Sequence, residues 1–98
     1  MFVNIIKSYR EIVAVCDSEL IGKRFEEDNL QLDVKESFFK GELKTREEAI
    51  EVMTEMKLED ATFNIIGDRA VKAALEAGVI RPGHVGKIAG ISYALILL

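Results

Sequence analysis

The sequence has few of the residues on which recognisable chemical sites depend. Its 98 residues include one cysteine, one histidine, one proline and no tryptophan. Cys16 alone cannot form an intrachain disulfide, and with His84 and scattered carboxylates it gives no zinc-ligand spacing, so no metal site is predicted. There is no complete nucleotide-binding fingerprint and no nucleophile elbow. We therefore predict no cofactor and no catalytic residue, and consider an enzyme the less favoured class.

Long apolar segments are also missing. The longest apolar run, residues 93–98, is six residues long, whereas a membrane-spanning helix needs about 20. No basic, apolar and small-residue leader pattern is present at the start of the chain. We expect a cytoplasmic protein that does not associate with membranes.

The composition is that of a folded protein with an uneven charge distribution. Hydrophobic residues make up 49% and charged residues 31% of the chain, and the net charge is −4. A chain of this length holds one core, so we expect a single domain over residues 1–98. Residues 1–67 carry nine basic and fifteen acidic side chains, and residues 68–98 carry four basic and two acidic ones. A general affinity for nucleic acid is therefore not expected, but the last third leaves room for a local contact with phosphate.

The first half of the chain predicts strands. Apolar, β-branched runs at residues 2–7 and 12–16 flank a four-residue connection and predict a hairpin. Residues 17–25 predict one helical turn or an irregular loop, and residues 26–29 an acidic turn. Apolar residues then alternate with polar ones over residues 30–34, which is typical of a half-exposed strand. If this strand continues, Phe38 and Phe39 point to opposite faces of the sheet.

The second half of the chain predicts two helices, followed by buried strand at the C-terminal end. Thr45 and Glu48 form a capping box, which predicts the first helix. A second helix is expected over residues 68–77, with Asp68 as its N-cap and Gly78 as the left-handed residue that ends it. Residues 85–91 and 93–98 are predicted to be strand, interrupted at Gly90.

This order of elements predicts an α+β fold. We expect a two-layer sandwich with a mixed sheet of about five strands, two helices on one face and one βαβ unit. That unit is predicted to consist of the strand at residues 62–66, the helix at 68–77 and the final strand, with its two strands parallel.

Three segments resemble the small archaeal DUF424 proteins, a family of unknown function. They are residues 15–23, VCDSELIGK, residues 38–41, FFKG, and residues 64–71, NIIGDRAV. The resemblance implies an archaeal, cytoplasmic α+β domain and supplies no activity. The resemblance further suggests a role in archaeal information processing, including translation.

The junction at Gly67 is the first candidate site. A buried strand turns there into a short helix, and a helix start directs free N–H groups and a positive dipole end at an anion. We expect the Gly22–Lys23 turn to lie beside it and to complete a polar site for a small molecule or anion. The predicted ligand-binding residues are Asp17, Glu19, Gly22, Lys23, Asn64, Gly67, Asp68 and Arg69. Turn geometry and helix capping explain Gly67 and Asp68 equally well.

The basic residues of the last third form the second candidate site. The predicted contacts to nucleic acid or a protein partner are Arg69, Lys72, Arg81, His84 and Lys87. The favoured function is a non-enzymatic binding module for RNA, a ribonucleoprotein or a protein surface. A small-molecule site or small enzyme at the 17–23 and 64–69 turns is the second reading, and a homodimer through the C-terminal strand is the third. For Cys16, burial at a strand end is favoured over reactivity, and for His84 a surface position is favoured over a catalytic base.

Overall fold

Two sheets organise the chain in this computed structural model, which describes residues 1–96. The strands within those residues are β1 (Phe2–Ile6), β2 (Ile12–Cys16), β3 (Arg24–Glu27), β4 (Leu30–Asp33), β5 (Glu42–Leu43), β6 (Thr62–Ile66), β7 (Gly86–Ile88) and β8 (Ile91–Ile96). The main sheet has six strands in the order β5-β1-β2-β6-β8-β7, and β3 pairs only with β4. The predicted α+β class with a mixed sheet is confirmed, with one strand more in the main sheet than expected.

The helices of the described residues are α1 (Glu36–Phe39), α2 (Arg46–Leu58) and α3 (Asp68–Ala77), and single 3-10 turns lie at Ser18–Leu20 and Pro82–His84. The predicted capping box is confirmed at α2, where the Thr45 hydroxyl accepts a hydrogen bond from the Glu48 amide and the Glu48 carboxylate accepts one from the Thr45 amide. The hydrogen bond that the Thr45 amide donates to the Glu48 carboxylate is the main cause that lowers the pKa of Glu48. Gly78 ends α3 in the left-handed conformation, as predicted.

The connectivity of the parallel strands differs from the prediction. β8 runs antiparallel to β6, so the predicted parallel pairing of the final strand with residues 62–66 is wrong. The adjacent parallel pair is β2 with β6, and α2 lies in the connection between them. The chain after α3 goes first to β7 and reverses at Ala89–Gly90, so that β8 fits between β6 and β7. The predicted interruption at Gly90 is therefore a hairpin turn.

The two long helices pack on the same face of the main sheet, as predicted. Val13, Val15 and Phe63 face α2 and α3, and Met53 and Ala73 from the two helices are fully buried against them. Alternate residues of a strand point to opposite faces, so Ala14 and Cys16 belong to a second cluster on the other side of the sheet.

The sequence analysis predicted the structure on that second face only in part. The strand at residues 30–34 is confirmed, and the helical turn allowed for residues 17–25 lies at Ser18–Leu20. The predicted acidic turn at residues 26–29 is wrong in extent, because residues 26 and 27 belong to β3, and α1 was not predicted.

The β3–β4 hairpin, the first 3-10 turn and α1 cover this second face through Leu32, Leu20 and Phe39. Phe38 and Phe39 are thus at the end of a short helix, so the strand at residues 30–34 does not continue to them and the expectation that depended on its continuation does not apply. Gly41 permits this arrangement, because a Cβ on it would lie 2.2 Å from the Val3 carbonyl oxygen of β1.

The C-terminal strand is not at an edge of the sheet. β8 lies between β6 and β7, and the edge strands of the described part are β5 and β7. A homodimer through the C-terminal strand therefore loses the free edge on which its prediction rested. The predicted strand also included Leu97 and Leu98, which lie outside the described residues.

Cys16 is fully buried at the end of β2. Burial, together with the neighbouring negative charge of Asp17, raises the pKa of its thiol to about 11. The thiolate is the reactive form of cysteine. The favoured interpretation, a buried cysteine at a strand end, is confirmed.

We expect Cys16 to resist thiol reagents in the native protein. At pH 8 a chromogenic disulfide reagent should label the folded protein slowly and the urea-unfolded protein at once, because both access and thiolate formation require unfolding. A Cys16→Ala variant provides the blank. Labelling of the native protein at the rate of a free thiol would contradict this.

Candidate functional site

The carboxyl ends of β2 and β6 meet at one end of the sheet because the two strands are adjacent and parallel. Asp17 follows β2, and its amide donates a hydrogen bond to the Ile66 carbonyl at 3.1 Å. Gly67 follows β6, and its amide donates one to the Ser92 carbonyl of β8 at 2.8 Å. Asp17 and the start of α3 are therefore held side by side although they are far apart in sequence.

The Asp17 carboxylate caps α3. Its Oδ2 accepts a hydrogen bond from the Arg69 amide at 3.2 Å, and its Oδ1 accepts one from the Ala70 amide at 2.8 Å. Asp17 is 5% exposed. The prediction that the first turn of α3 offers free N–H groups to a ligand is therefore wrong, because a buried side chain of the protein already occupies them. Asp68 is the first helical residue, and the N-cap position belongs to Gly67.

Gly67 is required at this junction for two reasons. Its φ is +113°, a region that side-chain-bearing residues rarely adopt. A Cβ on it would also lie 2.4 Å from Cγ of Asp17. The missing side chain of Gly67 provides the space that the Asp17 carboxylate fills.

Arg69 continues this polar cluster towards the surface. Its guanidinium forms an ion pair with both oxygens of Glu19, and its Nε lies 3.8 Å from Oδ2 of Asp17. The structure thus brings together four of the predicted ligand-binding residues, Asp17, Glu19, Gly67 and Arg69, and satisfies their polar groups with one another. Arg69 is consequently neutralised by acidic neighbours and is a poor contact for phosphate.

The other predicted members of this site lie elsewhere. The amide of Gly22 donates to the Val34 carbonyl at 2.7 Å, and the carbonyl of Lys23 accepts from the Val34 amide at 2.9 Å. Within residues 1–96 no hydrogen bond or ion pair joins this turn to α3. Asn64 lines a separate cavity of about 340 Å³ with Phe38 and Leu95, on the sheet face opposite to α2 and α3.

A cleft lies beside α3, on the helix-bearing face of the sheet. Because α2 and α3 leave the β7 end of that face uncovered, the side of α3 and the last two strands form the two walls. We call it the α3–β7 cleft, and its volume is about 360 Å³. The residues that line it are Asp68, Val71, Lys72, Leu75, Pro82, Val85, Lys87 and Ser92.

Two predicted basic contacts line this cleft. Lys72 projects from α3 and Lys87 from β7. Asp68 lies at the same place, and hydrogen bonding from the Ser92 hydroxyl lowers the pKa of Asp68, as do the charges of Lys87 and Lys72. Asp68 is therefore an anion in neutral solution that offsets part of the positive charge of the lysines.

Arg81 and His84 belong to the 3-10 turn next to the cleft. The Arg81 amide donates a hydrogen bond to Nδ1 of His84 at 2.9 Å. His84 thus caps the turn and is exposed, which agrees with the interpretation that it is a surface residue. Arg81 is exposed and adjoins Pro82 of the cleft wall.

Sequence reasoning did not find the apolar part of the cleft or the partnership of Asp68 with Ser92. The signal available in the sequence was Ser92, a polar residue within the apolar C-terminal segment. In the structure Ser92 is buried, with 7% of its surface exposed.

In the part of the chain that the structure describes, no group of three or more His, Cys, Asp or Glu side chains is arranged to bind a metal. No helix among residues 1–96 is both long and apolar enough to span a membrane.

These observations agree with the comparisons to known proteins. The chain belongs to the family described as "Protein of unknown function (DUF424)", whose sequence model matches residues 6–98. The resemblance drawn from the three motifs is thereby confirmed. No curated protein matches the chain.

A solved archaeal structure has a similar fold. It is the "Crystal structure of an uncharacterized conserved protein from Methanopyrus kandleri", which matches with a TM-score of 0.85 and 22% sequence identity. The match covers 97% of this chain and 88% of that chain. At this identity the similarity concerns the fold alone.

We expect replacement of Asp17 to destabilise the protein. Asp17→Ala leaves two amides at the start of α3 without their acceptor, which should lower the free energy of unfolding by about 2 to 3 kcal/mol. Urea denaturation measures this loss. Glu19→Gln is the matched control, since it removes only an exposed partner of Arg69 and should cost below about 1 kcal/mol. Equal losses in the two variants would contradict the capping role.

Gly67 and Gly22 offer a second comparison. Both have positive φ, but a Cβ at Gly22 meets no atom within 4 Å, whereas one at Gly67 overlaps Asp17. Gly22→Ala should therefore report positive-φ backbone strain alone, about 1 kcal/mol. Gly67→Ala should cost roughly 2 kcal/mol more, because it adds the overlap with Asp17 and because φ +113° with ψ 151° is a region that essentially only glycine adopts. Thermal unfolding of the two variants tests the difference. Similar melting temperatures would show that the Asp17 carboxylate does not occupy this space.

Proposed function

We propose that the protein is a non-enzymatic binding module and that the α3–β7 cleft holds an anionic group of its partner. The observation that supports this most directly is the pair Lys72 and Lys87, which line one cleft from two different elements. Neither lysine forms an ion pair within residues 1–96 under a 4.0 Å limit, and Asp68 is the acidic residue among those that line the cleft. Arg81 at the adjoining turn adds a third cation.

The polar cluster at the start of α3 supports the alternative function less well. A ligand there would have to displace Asp17 from two hydrogen bonds and separate Arg69 from Glu19. Buried carboxylates that satisfy backbone amides are costly to move. A small-molecule site or a small enzyme at the 17–23 and 64–69 turns is therefore the less favoured proposal.

RNA, a ribonucleoprotein or a protein surface is the partner that the sequence analysis favoured, and a translation role rests on the family resemblance. The two lysines of the cleft support RNA as a partner only because its phosphate groups are anions. Lysine contacts to phosphate release counterions, so affinity should fall steeply with salt. Self-association stays a separate proposal, which light scattering at two protein concentrations tests.

We expect charge reversal in the cleft to weaken binding of anions. Fluorescence anisotropy with a short oligouridylate and a short polyglutamate should detect binding at low salt. Three cations should give a slope of log K against log salt of roughly −2 for the single strand, and Lys72→Glu or Lys87→Glu should reduce both the affinity and the slope. Asp68→Asn should raise the affinity, because it removes the charge that opposes the lysines.

Lys40→Glu is the matched control for the reversals. Lys40 lies in the chain after α1, is exposed, and forms a surface ion pair with Glu36 at 3.6 Å. If neither polyanion binds, or if this control weakens binding as much as the cleft variants do, the proposed function is wrong.

A further inference from the structure

The apolar floor of the α3–β7 cleft narrows the chemistry of its partner. Val71, Leu75 and Val85 line the cleft beside the two lysines, and Pro82 lines it as well. Val71 is only 4% exposed, and Leu75 and Val85 are half-buried. The apolar area that a partner could cover therefore belongs mainly to Leu75 and Val85, and covering it would give binding free energy in proportion to the area removed from water.

A nucleic-acid strand makes little use of such a surface. Its bases bind single-strand sites mainly by stacking on aromatic rings, and among residues 1–96 no aromatic side chain lines the cleft. The ring of Tyr93, in β8, instead lies over Gly86 on the other face of the sheet. The charge density is also low for a phosphate backbone, because Asp68 offsets part of the charge of Lys72 and Lys87.

We infer that the α3–β7 cleft binds an acidic peptide segment of a partner protein that also carries an apolar side chain. This inference rests on the proposed function and names the partner class. The apolar side chain packs on Val71, Leu75 and Val85, while flanking carboxylates pair with Lys72 and Lys87. The long lysine side chains reach such carboxylates from the rim of the cleft and cover part of the apolar surface with their methylene groups.

Three probes of similar charge test this inference in the full chain. They are a short peptide in which Glu alternates with Leu, a peptide of the same length in which Glu alternates with Ser, and a short oligouridylate. The Glu and Leu peptide should bind at least about tenfold more tightly than the Glu and Ser peptide, because one buried leucine side chain supplies that factor. It should also bind more tightly than the RNA.

Variants separate the apolar contribution from the charge contribution. Val85→Thr keeps the shape of the side chain and places a hydroxyl on the floor, so it should weaken the Glu and Leu peptide severalfold and leave the Glu and Ser peptide unchanged. Leu75→Gln should act in the same direction, and its far-ultraviolet circular dichroism spectrum shows whether it is folded. Lys87→Glu should weaken both peptides, with Lys40→Glu as the control.

The possible failures are distinguishable. Equal affinity for the two peptides, or tighter binding of the oligouridylate, overturns the inference while the anion-binding cleft stands. Absence of binding by all three probes overturns both the inference and the proposed function. Changes in the chemical shifts of Val71 and Val85 when the Glu and Leu peptide is added support the inference directly. Chemical-shift changes confined to another surface overturn it.

Discussion

The Asp17 carboxylate is the contact on which the candidate site of this protein depends. It joins the end of a central strand to the first turn of α3, and it does so from a buried position, 5% exposed. A carboxylate at a helix N-terminus satisfies amides that have no partner within the helix and interacts favourably with the helix dipole. Because Gly67 has no side chain, Asp17 approaches those amides at hydrogen-bond distance, and the position of α3 over the sheet follows from that contact.

This contact also explains why the accessible surface of α3 lies along its side. The end of the helix, which in many α/β proteins faces a ligand, is closed by Asp17 and then by the pair of Arg69 with Glu19. The flank of α3 remains open towards β7, since two long helices do not cover a sheet of six strands. The positive charges of Lys72 and Lys87 are therefore available in a cleft, whereas that of Arg69 at the helix start is paired with Glu19.

Local sequence signals predicted local structure well. The capping box of Thr45 and Glu48, the bounds of α3 and the left-handed Gly78 each depend on residues a few positions apart, and the structure agrees with all three. Non-local pairing was predicted poorly. Whether β8 lies parallel or antiparallel to β6 depends on the turn at Ala89–Gly90 and on the place of β7, for which periodicity carries no signal.

The candidate site shows the same division. The sequence identified Asp17, Glu19, Gly67 and Arg69 as one polar group, but it assigned Asp68 as the cap of α3, because a cap next to the helix is the common case. The true cap is distant in sequence and becomes adjacent only through the parallel pairing of β2 with β6. Asp68 is thereby free of the capping role and faces Ser92, Lys72 and Lys87 in the cleft. Asp17 thus holds the start of α3 in place. Asp68, which was expected to do so, instead offsets part of the positive charge of the cleft that we propose as the binding site.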